Sequence, residues 1–208
     1  MIKALILDLD NTIFLTKSID KGVINPFFEA LKSANDVLRE SDLEKCKQAL
    51  WETPFFEVAK QYNFSKSMIA AGLNALNEIP EGLKIKPYQD YDYLKTLKRI
   101  KYLVTTGVTC VQWNKIKSLK IEKDFQEILI DDPFVVMGGK RKLFEGIMEK
   151  YGHNPGELLV IGDNPASEIS AGKTLGIKTV LIDRSSRYEP GMADYQFKSL
   201  YEVQSILN

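Results

Sequence analysis

The chain has few of the residues that build disulfides or transition-metal sites: its 208 residues include two cysteines and one histidine. Cys46 and Cys110 lie far apart and lack the short spacing of a metal-binding or redox pair, so we expect both to be reduced packing residues. His153 follows Tyr-Gly and precedes Asn-Pro, a pattern typical of a turn after a helix. We expect it at the surface, with no catalytic part.

Net charge and long apolar runs are also missing. Lys plus Arg and Asp plus Glu both number 28, so no overall field attracts nucleic acid or an anionic membrane. No apolar stretch approaches the roughly 20 residues of a membrane span, and the N-terminus leads directly into a strand pattern. We therefore expect a cytoplasmic protein, a monomer or homodimer, without nucleic-acid or membrane partners.

What the sequence does contain is a repeated alternation of apolar runs and helical patterns. Strands are predicted near residues 2–8, 101–105, 127–131, 158–162 and 178–182, and helical patterns separate those from 101 onward. This alternation is typical of an α/β protein with a parallel sheet. Between Thr12 and about Pro87 the pattern is almost wholly helical, which is too much sequence for a single crossover.

Two aspartates follow the first predicted strand. Asp8 and Asp10 come after the run Ala4 to Leu7, and open α/β sheets build their sites beyond strand ends. Alternate residues of an extended segment share a side, so the two carboxylates are expected close together. Such a pair favours a bound cation or a catalytic role; the alternative is two solvated turn acids.

Three further polar elements follow later in the chain. Thr105–Gly107 ends a second strand pattern and supplies a hydroxyl and N–H groups that suit an anionic oxygen. Lys140 precedes a helical pattern, after two glycines that we interpret as a turn because no P-loop pattern is present. Asp163 ends the fourth strand pattern, and Glu168 comes five residues later.

In order and spacing, these four elements resemble the haloacid dehalogenase-like superfamily, phosphatase type with a C1 helical cap, over nearly the whole chain. Asp-Leu-Asp-Asn-Thr at 8–12 matches the family's first motif. The resemblance implies an α/β fold with a Rossmann-like parallel sheet core at residues 1–14 and 88–208. An α-helical cap at 15–87 would be inserted after the first strand. Glu168 stands where Asp is more usual, and Lys142 is the alternative to Lys140 because no Lys-Pro dipeptide is present.

The resemblance implies a Mg²⁺-dependent phosphatase that hydrolyses a small phosphorylated metabolite through an aspartyl-phosphate on Asp8. Asp10 would give a proton to the leaving oxygen and then take one from the attacking water. A departing halide needs no proton, so the presence of Asp10 favours a phosphatase over a dehalogenase. The implied catalytic residues are Asp8, Asp10, Thr105 and Lys140. Phosphate would be bound by Asp8, Thr105, Thr106, Gly107 and Lys140. The metal would be bound by Asp8, the carbonyl of Asp10 and Asp163, and the supporting residues would be Thr12, Asn164 and Glu168.

Two other functions use the same residues: a sugar-phosphate mutase, and a non-catalytic phosphate-binding or phosphorylatable domain. The helical insertion and the Asp-x-Asp pattern argue against the latter. Substrate choice is expected to lie in loops that face the sheet, at Phe14 to Gly22 and around Thr53 to Phe55.

Overall fold

The computed structural model describes residues 1–135 and 138–207, and within them a parallel six-stranded sheet has the order β3-β2-β1-β4-β5-β6. The strands are β1 (Ala4–Leu7), β2 (Ile100–Thr106), β3 (Glu127–Asp131), β4 (Leu158–Gly162), β5 (Lys178–Ile182) and β6 (Tyr195–Phe197). Val136, Met137 and Asn208, which belong to the predicted core segment, lie outside the described residues.

Eight α-helices accompany the sheet in the described part of the chain. They are α1 (Lys21–Ser33), α2 (Glu40–Ala49), α3 (Phe55–Gln61), α4 (Lys66–Asn77), α5 (Tyr91–Thr96), α6 (Thr109–Leu119), α7 (Gly139–Tyr151) and α8 (Ser170–Thr174). The α/β prediction is confirmed, and the five predicted strands are present. The sixth, β6, was not predicted because its three half-buried residues are too few to show a period.

Strand β1 lies at the centre of the sheet and is buried on both faces. Leu5 and Leu7 belong to the apolar core on one face, whereas Ala4 and Ile6 belong to the core on the other. This alternation follows from the pleat of an extended chain. Phe144 of α7 packs on the second face. Both faces are therefore filled with apolar side chains, which leaves the strand ends for polar chemistry.

Helices α1 to α4 lie between β1 and β2, where the helical insertion was predicted. The two chain crossings into this segment are adjacent: Phe14 and Pro87 form an antiparallel bridge, and the N–H of Tyr88 donates to the carbonyl of Ile13 at 2.8 Å. They coincide with the expected limits of the cap at 15–87. The division into two domains itself stays a prediction.

The helical segment contacts the sheet core through α6 and the loop after β3. Ser118 Oγ accepts from the N–H of Leu83 at 2.9 Å, and Asn114 donates to the carbonyl of Ile79 at 3.0 Å. The ring of Phe134 lies 5.5 Å from that of Phe55, centroid to centroid. These contacts hold the segment over the carboxyl ends of the strands.

His153 is half-buried at the surface, where it also has partners that the sequence did not predict. Its Nε2 lies 3.0 Å from the hydroxyl of Tyr102, near the start of β2, and its ring stacks on Tyr151. Its location away from the strand ends that carry Asp8 and Asp163 agrees with the absence of a catalytic part.

Within the described residues, no helix combines the length and apolarity needed to cross a membrane.

A buried ion pair connects the first loop, α5 and the C-terminal segment. Asp90 accepts from both terminal nitrogens of Arg184 at 2.7 and 3.0 Å and from the N–H of Leu200 at 2.9 Å. Arg184 also donates to the carbonyl of Thr12 at 3.0 Å. Burial raises the pKa of Asp90, but Arg184 and the Leu200 N–H outweigh it and leave the pKa below its usual value.

We predict that Asp90→Ala lowers the free energy of unfolding by about 2–4 kcal/mol, because it leaves Arg184 largely buried without its partner. The matched control is Asp92→Ala, which removes an exposed pair with Lys95 and should cost less than about 1 kcal/mol. Urea unfolding followed by fluorescence measures both. Equal effects of the two substitutions would contradict the structural role of the Asp90–Arg184 pair.

Candidate active site

Three neighbouring strands bring the predicted site residues together. Asp8 follows β1, Thr105 lies near the end of β2, and Asp163 follows β4. Because the chain leaves β1 toward β2 and β3 on one side and β4 to β6 lie on the other, these ends flank the point where ligands bind in open α/β sheets. Asp8, Thr105 and Asp163 are buried and line one cavity together with Asp10 and Lys140.

Asp8, Asp163 and Glu168 form a buried carboxylate cluster. Each offers an oxygen, and the three oxygens lie within 4.8 Å of one another. Burial raises the pKa of Asp8 well above its usual value, and the neighbouring carboxylates add to the shift. For Asp163, burial and the charge of Glu168 raise the pKa to about 7. The cluster therefore concentrates negative charge where a cation would relieve the repulsion.

Lys140 is one of two cations at this cluster. Its Nζ donates to Asp8 Oδ1 at 2.6 Å and to Glu168 Oε2 at 2.8 Å. Burial lowers the pKa of Lys140, but the two carboxylates outweigh it and raise the pKa. The alternative, Lys142, is exposed, and its side chain lies over Gly138. The structure therefore brings Lys140, and not Lys142, to the cavity.

Arg187 is the second cation, and sequence reasoning did not identify it. Its Nη2 donates to Asp163 Oδ2 at 3.0 Å. The N–H of Arg187 donates to Asp183 Oδ1 at 2.8 Å, which fixes this residue beyond the end of β5. The loop after β5 thus also contributes to the charge balance of the carboxylate cluster.

Asp10 has its own set of partners. Lys115 Nζ donates to both carboxylate oxygens of Asp10 at 2.7 and 3.0 Å. Gln112 Nε2 donates to Asp10 Oδ2 at 2.9 Å, and Thr16 Oγ1 donates to Asp10 Oδ1 at 3.1 Å. Burial raises the pKa of Asp10, but Lys115 and these hydrogen bonds outweigh it and lower the pKa. Asn11 follows with a left-handed φ of 57°, which turns the chain directly after Asp10.

Gln112 and Lys115 were not among the predicted site residues. They lie three residues apart on α6, which places them on one face of the helix. The available signal was a Gln and a Lys at this spacing on a helix that begins shortly after β2, the strand that carries Thr105. Their position was visible in the sequence, but their partner was not.

The groups expected to bind phosphate differ in availability. The hydroxyl of Thr105 accepts from Gln112 at 2.6 Å inside the cavity wall. Thr106 Oγ1 donates to Asp131 Oδ2 at 3.1 Å, and the N–H of Gly107 donates to the carbonyl of Asp131 at 3.0 Å. Gly107 lines the cavity, but its N–H would have to leave Asp131 before it could bind a phosphate oxygen.

The residues expected to support the site have clear positions. The N–H of Asn164 donates to Glu168 Oε1 at 2.7 Å, and the side chain of Asn164 accepts from Ala166 at the start of a π-helical turn, Pro165–Ile169. Glu168 packs so closely on Gly162 that a Cβ there would overlap its carboxylate. The hydroxyl of Thr12 is buried without a hydrogen-bond partner among the described residues.

The donor set of the carboxylate cluster fits Mg²⁺. This ion prefers oxygen ligands and is commonly held by one or two carboxylates with substrate phosphate and water. Asp8 and Asp163 were predicted as ligands, and Glu168 lies with them. The side chain of Asp10 is held by Lys115 instead, so the backbone carbonyl is what Asp10 has left for a metal, and that role stays a prediction.

The cavity has a volume of about 180 Å³ and reaches from the carboxylates to the helical segment. Both loops that were expected to face the substrate contribute to its wall: Thr16 and Ile19 from the first, and Thr53 to Phe55 from the second. The segment that closes the strand ends therefore also shapes the space above Asp8.

Comparisons with known proteins place the chain in a family. A family model described as haloacid dehalogenase-like hydrolase matches residues 5–182. The glyceraldehyde 3-phosphate phosphatase of Methanocaldococcus jannaschii is 23% identical over 231 residues, which cover 100% of this chain and 97% of that relative.

Two solved structures share the fold. A HAD phosphatase from Thermococcus onnurineus superposes with a TM-score of 0.69 at 21% identity, covering 100% of this chain and 98% of that one. The HAD-hydrolase YfnB from Bacillus subtilis, bound to magnesium, gives a TM-score of 0.66 at 19% identity, covering 100% and 99%. At these identities the likeness concerns the fold alone.

We predict that Gly162→Ala lowers the free energy of unfolding by about 1–3 kcal/mol, because the new methyl group displaces the buried side chain of Glu168 from Lys140 and Asn164. Gly146→Ala is the matched control: Gly146 lies on α7, and a Cβ there meets nothing within 4 Å. It should be neutral or stabilising by up to about 1 kcal/mol. Urea unfolding compares the two, and identical results would show that Glu168 can repack freely.

Proposed function

The chain belongs to the haloacid dehalogenase-like hydrolase family and is a hydrolase of phosphate esters; we propose that it is a Mg²⁺-dependent phosphatase. It would hydrolyse a small phosphorylated metabolite through an aspartyl-phosphate on Asp8. The observation that carries this proposal is the arrangement of Asp8 and Asp10 in one cavity with different partners: Asp8 with Lys140 and two carboxylates, Asp10 with Lys115. Two adjacent acids in different environments suit two different tasks.

Asp8 is suited to act as the nucleophile. A phosphate monoester resists attack because its anionic oxygens repel nucleophiles, so catalysis rests on positioning and charge neutralisation. The carboxylate of Asp8 would form a bond to phosphorus as the bond to the ester oxygen breaks, which divides the hydrolysis into two easier steps. Bound Mg²⁺, held by Asp8 and Asp163 with Glu168 beside them, would supply additional neutralisation of the phosphate charge.

Lys140 and Thr105 would bind the transferred phosphoryl group. The Nζ of Lys140 is fixed by Asp8 and Glu168, so its charge is already in place before substrate enters. The hydroxyl of Thr105 accepts a hydrogen bond from Gln112 at 2.6 Å, which fixes its position in the cavity wall. Donors that need no rearrangement during the reaction stabilise a developing charge most effectively.

Asp10 is suited to move the protons. It would give a proton to the departing ester oxygen, and then take one from the water that attacks the phosphorus of the aspartyl-phosphate. Lys115 favours the ionised carboxylate, which is the form needed for the second step. The first step requires protonated Asp10, so the ion pair with Lys115 has to loosen before the leaving group departs.

We predict that Asp8→Asn abolishes phosphoenzyme formation, whereas Asp10→Asn allows it but slows its hydrolysis. Asp8→Asn removes the nucleophile's charge, while Asp10→Asn removes only the proton exchange. With acetyl phosphate, whose leaving group needs little proton assistance, intact-mass analysis after an acid quench should detect one phosphoryl group in Asp10→Asn and none in Asp8→Asn. Each tenfold loss of hydrolysis corresponds to about 1.4 kcal/mol of barrier. A phosphoryl group in Asp8→Asn instead would reverse the two roles.

The metal assignment has a separate test. Turnover of an aryl phosphate should require Mg²⁺, stop with EDTA and be poorly supported by Ca²⁺, whose coordination shell is larger and more variable. Mg²⁺ should also raise the melting temperature. At a Mg²⁺ concentration one hundred times its dissociation constant, the free energy of unfolding should increase by about 2.7 kcal/mol. Asp163→Asn should lose this rise, and the exposed Glu44→Gln should keep it. Full activity in EDTA would rule out the metal's role.

A further inference from the structure

The cavity above Asp8 and Asp10 has two chemically different ends. The catalytic end carries the charged residues described above. The wall from the helical segment and α6, which we call the apolar end, includes Ile24, Phe27, Leu76, Ile79, Leu83 and Val111, and the polar residues that the helical segment adds to it are Thr16, Glu52 and Thr53. A hydroxyl or charged group of a substrate at this end would lose its hydrogen bonds to water without gaining a partner.

The cavity also lacks a free positive charge for a second anionic group, as far as the described residues go. From residues 15–87, Glu52 is the one charged residue in the wall, and it binds Lys17, outside the cavity wall, at 2.5 Å. The two lysines that line the cavity are already paired: Lys115 with Asp10 at 2.7 Å and Lys140 with Asp8 at 2.6 Å. A carboxylate or second phosphate on the substrate would therefore find no unpaired cation among the described residues that line this cavity.

We propose that the substrate is a phosphate monoester whose organic group is small, apolar and uncharged, such as the ester of a short alkyl alcohol. This inference rests on the proposed function, since the phosphate end is placed at Asp8. The volume of about 180 Å³ is below the roughly 300–1,000 Å³ typical of small-molecule sites, which favours an organic group of a few carbon atoms on this side of Lys140. A wider cavity of about 950 Å³ adjoins the other side of Lys140 and is lined by Lys60 and Arg141, so a preference for the carboxylate ester would point there instead. Hydrolysis yields the alcohol and inorganic phosphate, and the alcohol oxygen takes its proton from Asp10.

The test compares three phosphate monoesters of similar length with the full chain and Mg²⁺: n-butyl phosphate, glycerol 3-phosphate and 3-carboxypropyl phosphate. We expect kcat/KM for n-butyl phosphate to exceed that for each of the others by about tenfold or more, since burial of one or two methylenes separates substrates by this amount. Glycerol is a slightly better leaving group than butanol, so intrinsic reactivity works against the expected order.

A pair of variants tests whether the apolar end sets the preference. Ile24→Lys places a cation at a half-buried wall position and should raise kcat/KM for 3-carboxypropyl phosphate relative to n-butyl phosphate by about tenfold. The matched control is Val37→Lys, an exposed position of the helical segment outside the cavity wall, which should leave the ratio unchanged. If melting curves show that Ile24→Lys is unfolded, Leu83→Lys tests the same wall, and the wild-type ranking stands independently.

The possible outcomes separate the two proposals. If the wild type hydrolyses none of the three esters and acetyl phosphate no faster than Asp8→Asn does, the proposed phosphatase function fails, and the substrate inference with it. If acetyl phosphate is hydrolysed but glycerol 3-phosphate or 3-carboxypropyl phosphate is preferred over n-butyl phosphate, only the substrate inference is overturned. An unchanged ratio in a folded Ile24→Lys variant would also overturn it.

Discussion

Charge balance around a buried group of carboxylates is the constraint on which the site depends. Asp8, Asp163 and Glu168 meet at the carboxyl edge of the sheet, where apolar strands on both sides keep water away. Carboxylates this close raise one another's pKa unless cations accompany them. Lys140 and Arg187 supply two positive charges against three negative ones. The remaining excess favours binding of a divalent cation at this place.

The cations that pair with the acids of the site come from different parts of the chain, so the charge balance depends on the correct packing of several elements. Lys140 lies at the start of α7, Lys115 on α6, and Arg187 in the loop after β5. Each contacts an acid that follows β1 or β4. Correct placement of the helices is therefore required for the site, and the apolar contacts of the sheet faces provide it.

The sequence predicted the parts of the site that depend on strand ends, because an apolar run followed by polar residues specifies its own end. Asp8, Thr105 and Asp163 are such residues. Lys140 was preferred through the family resemblance, but Lys142 stayed an alternative, because a basic run does not tell where the helix begins or which face it turns inward. Gln112 and Lys115 were missed as site residues because their partner, Asp10, lies 102 and 105 residues away in sequence. The contact between His153 and Tyr102 could not be predicted because the two residues lie 51 residues apart in sequence.

The different environments of Asp8 and Asp10 explain how one strand end can serve two purposes. Both carboxylates are buried, and burial alone would raise both pKa values. Asp8 shares Lys140 with Glu168 and lies beside Asp163, so its pKa remains raised, whereas Asp10 has Lys115 and two further donors, which lower its pKa. A cation bound at the cluster would favour ionised Asp8 as well. A separate lysine for each acid would therefore let Asp8, the proposed nucleophile, respond to a bound metal and phosphate, while Lys115 and Gln112 of α6 control the ionisation of Asp10, the proposed proton carrier.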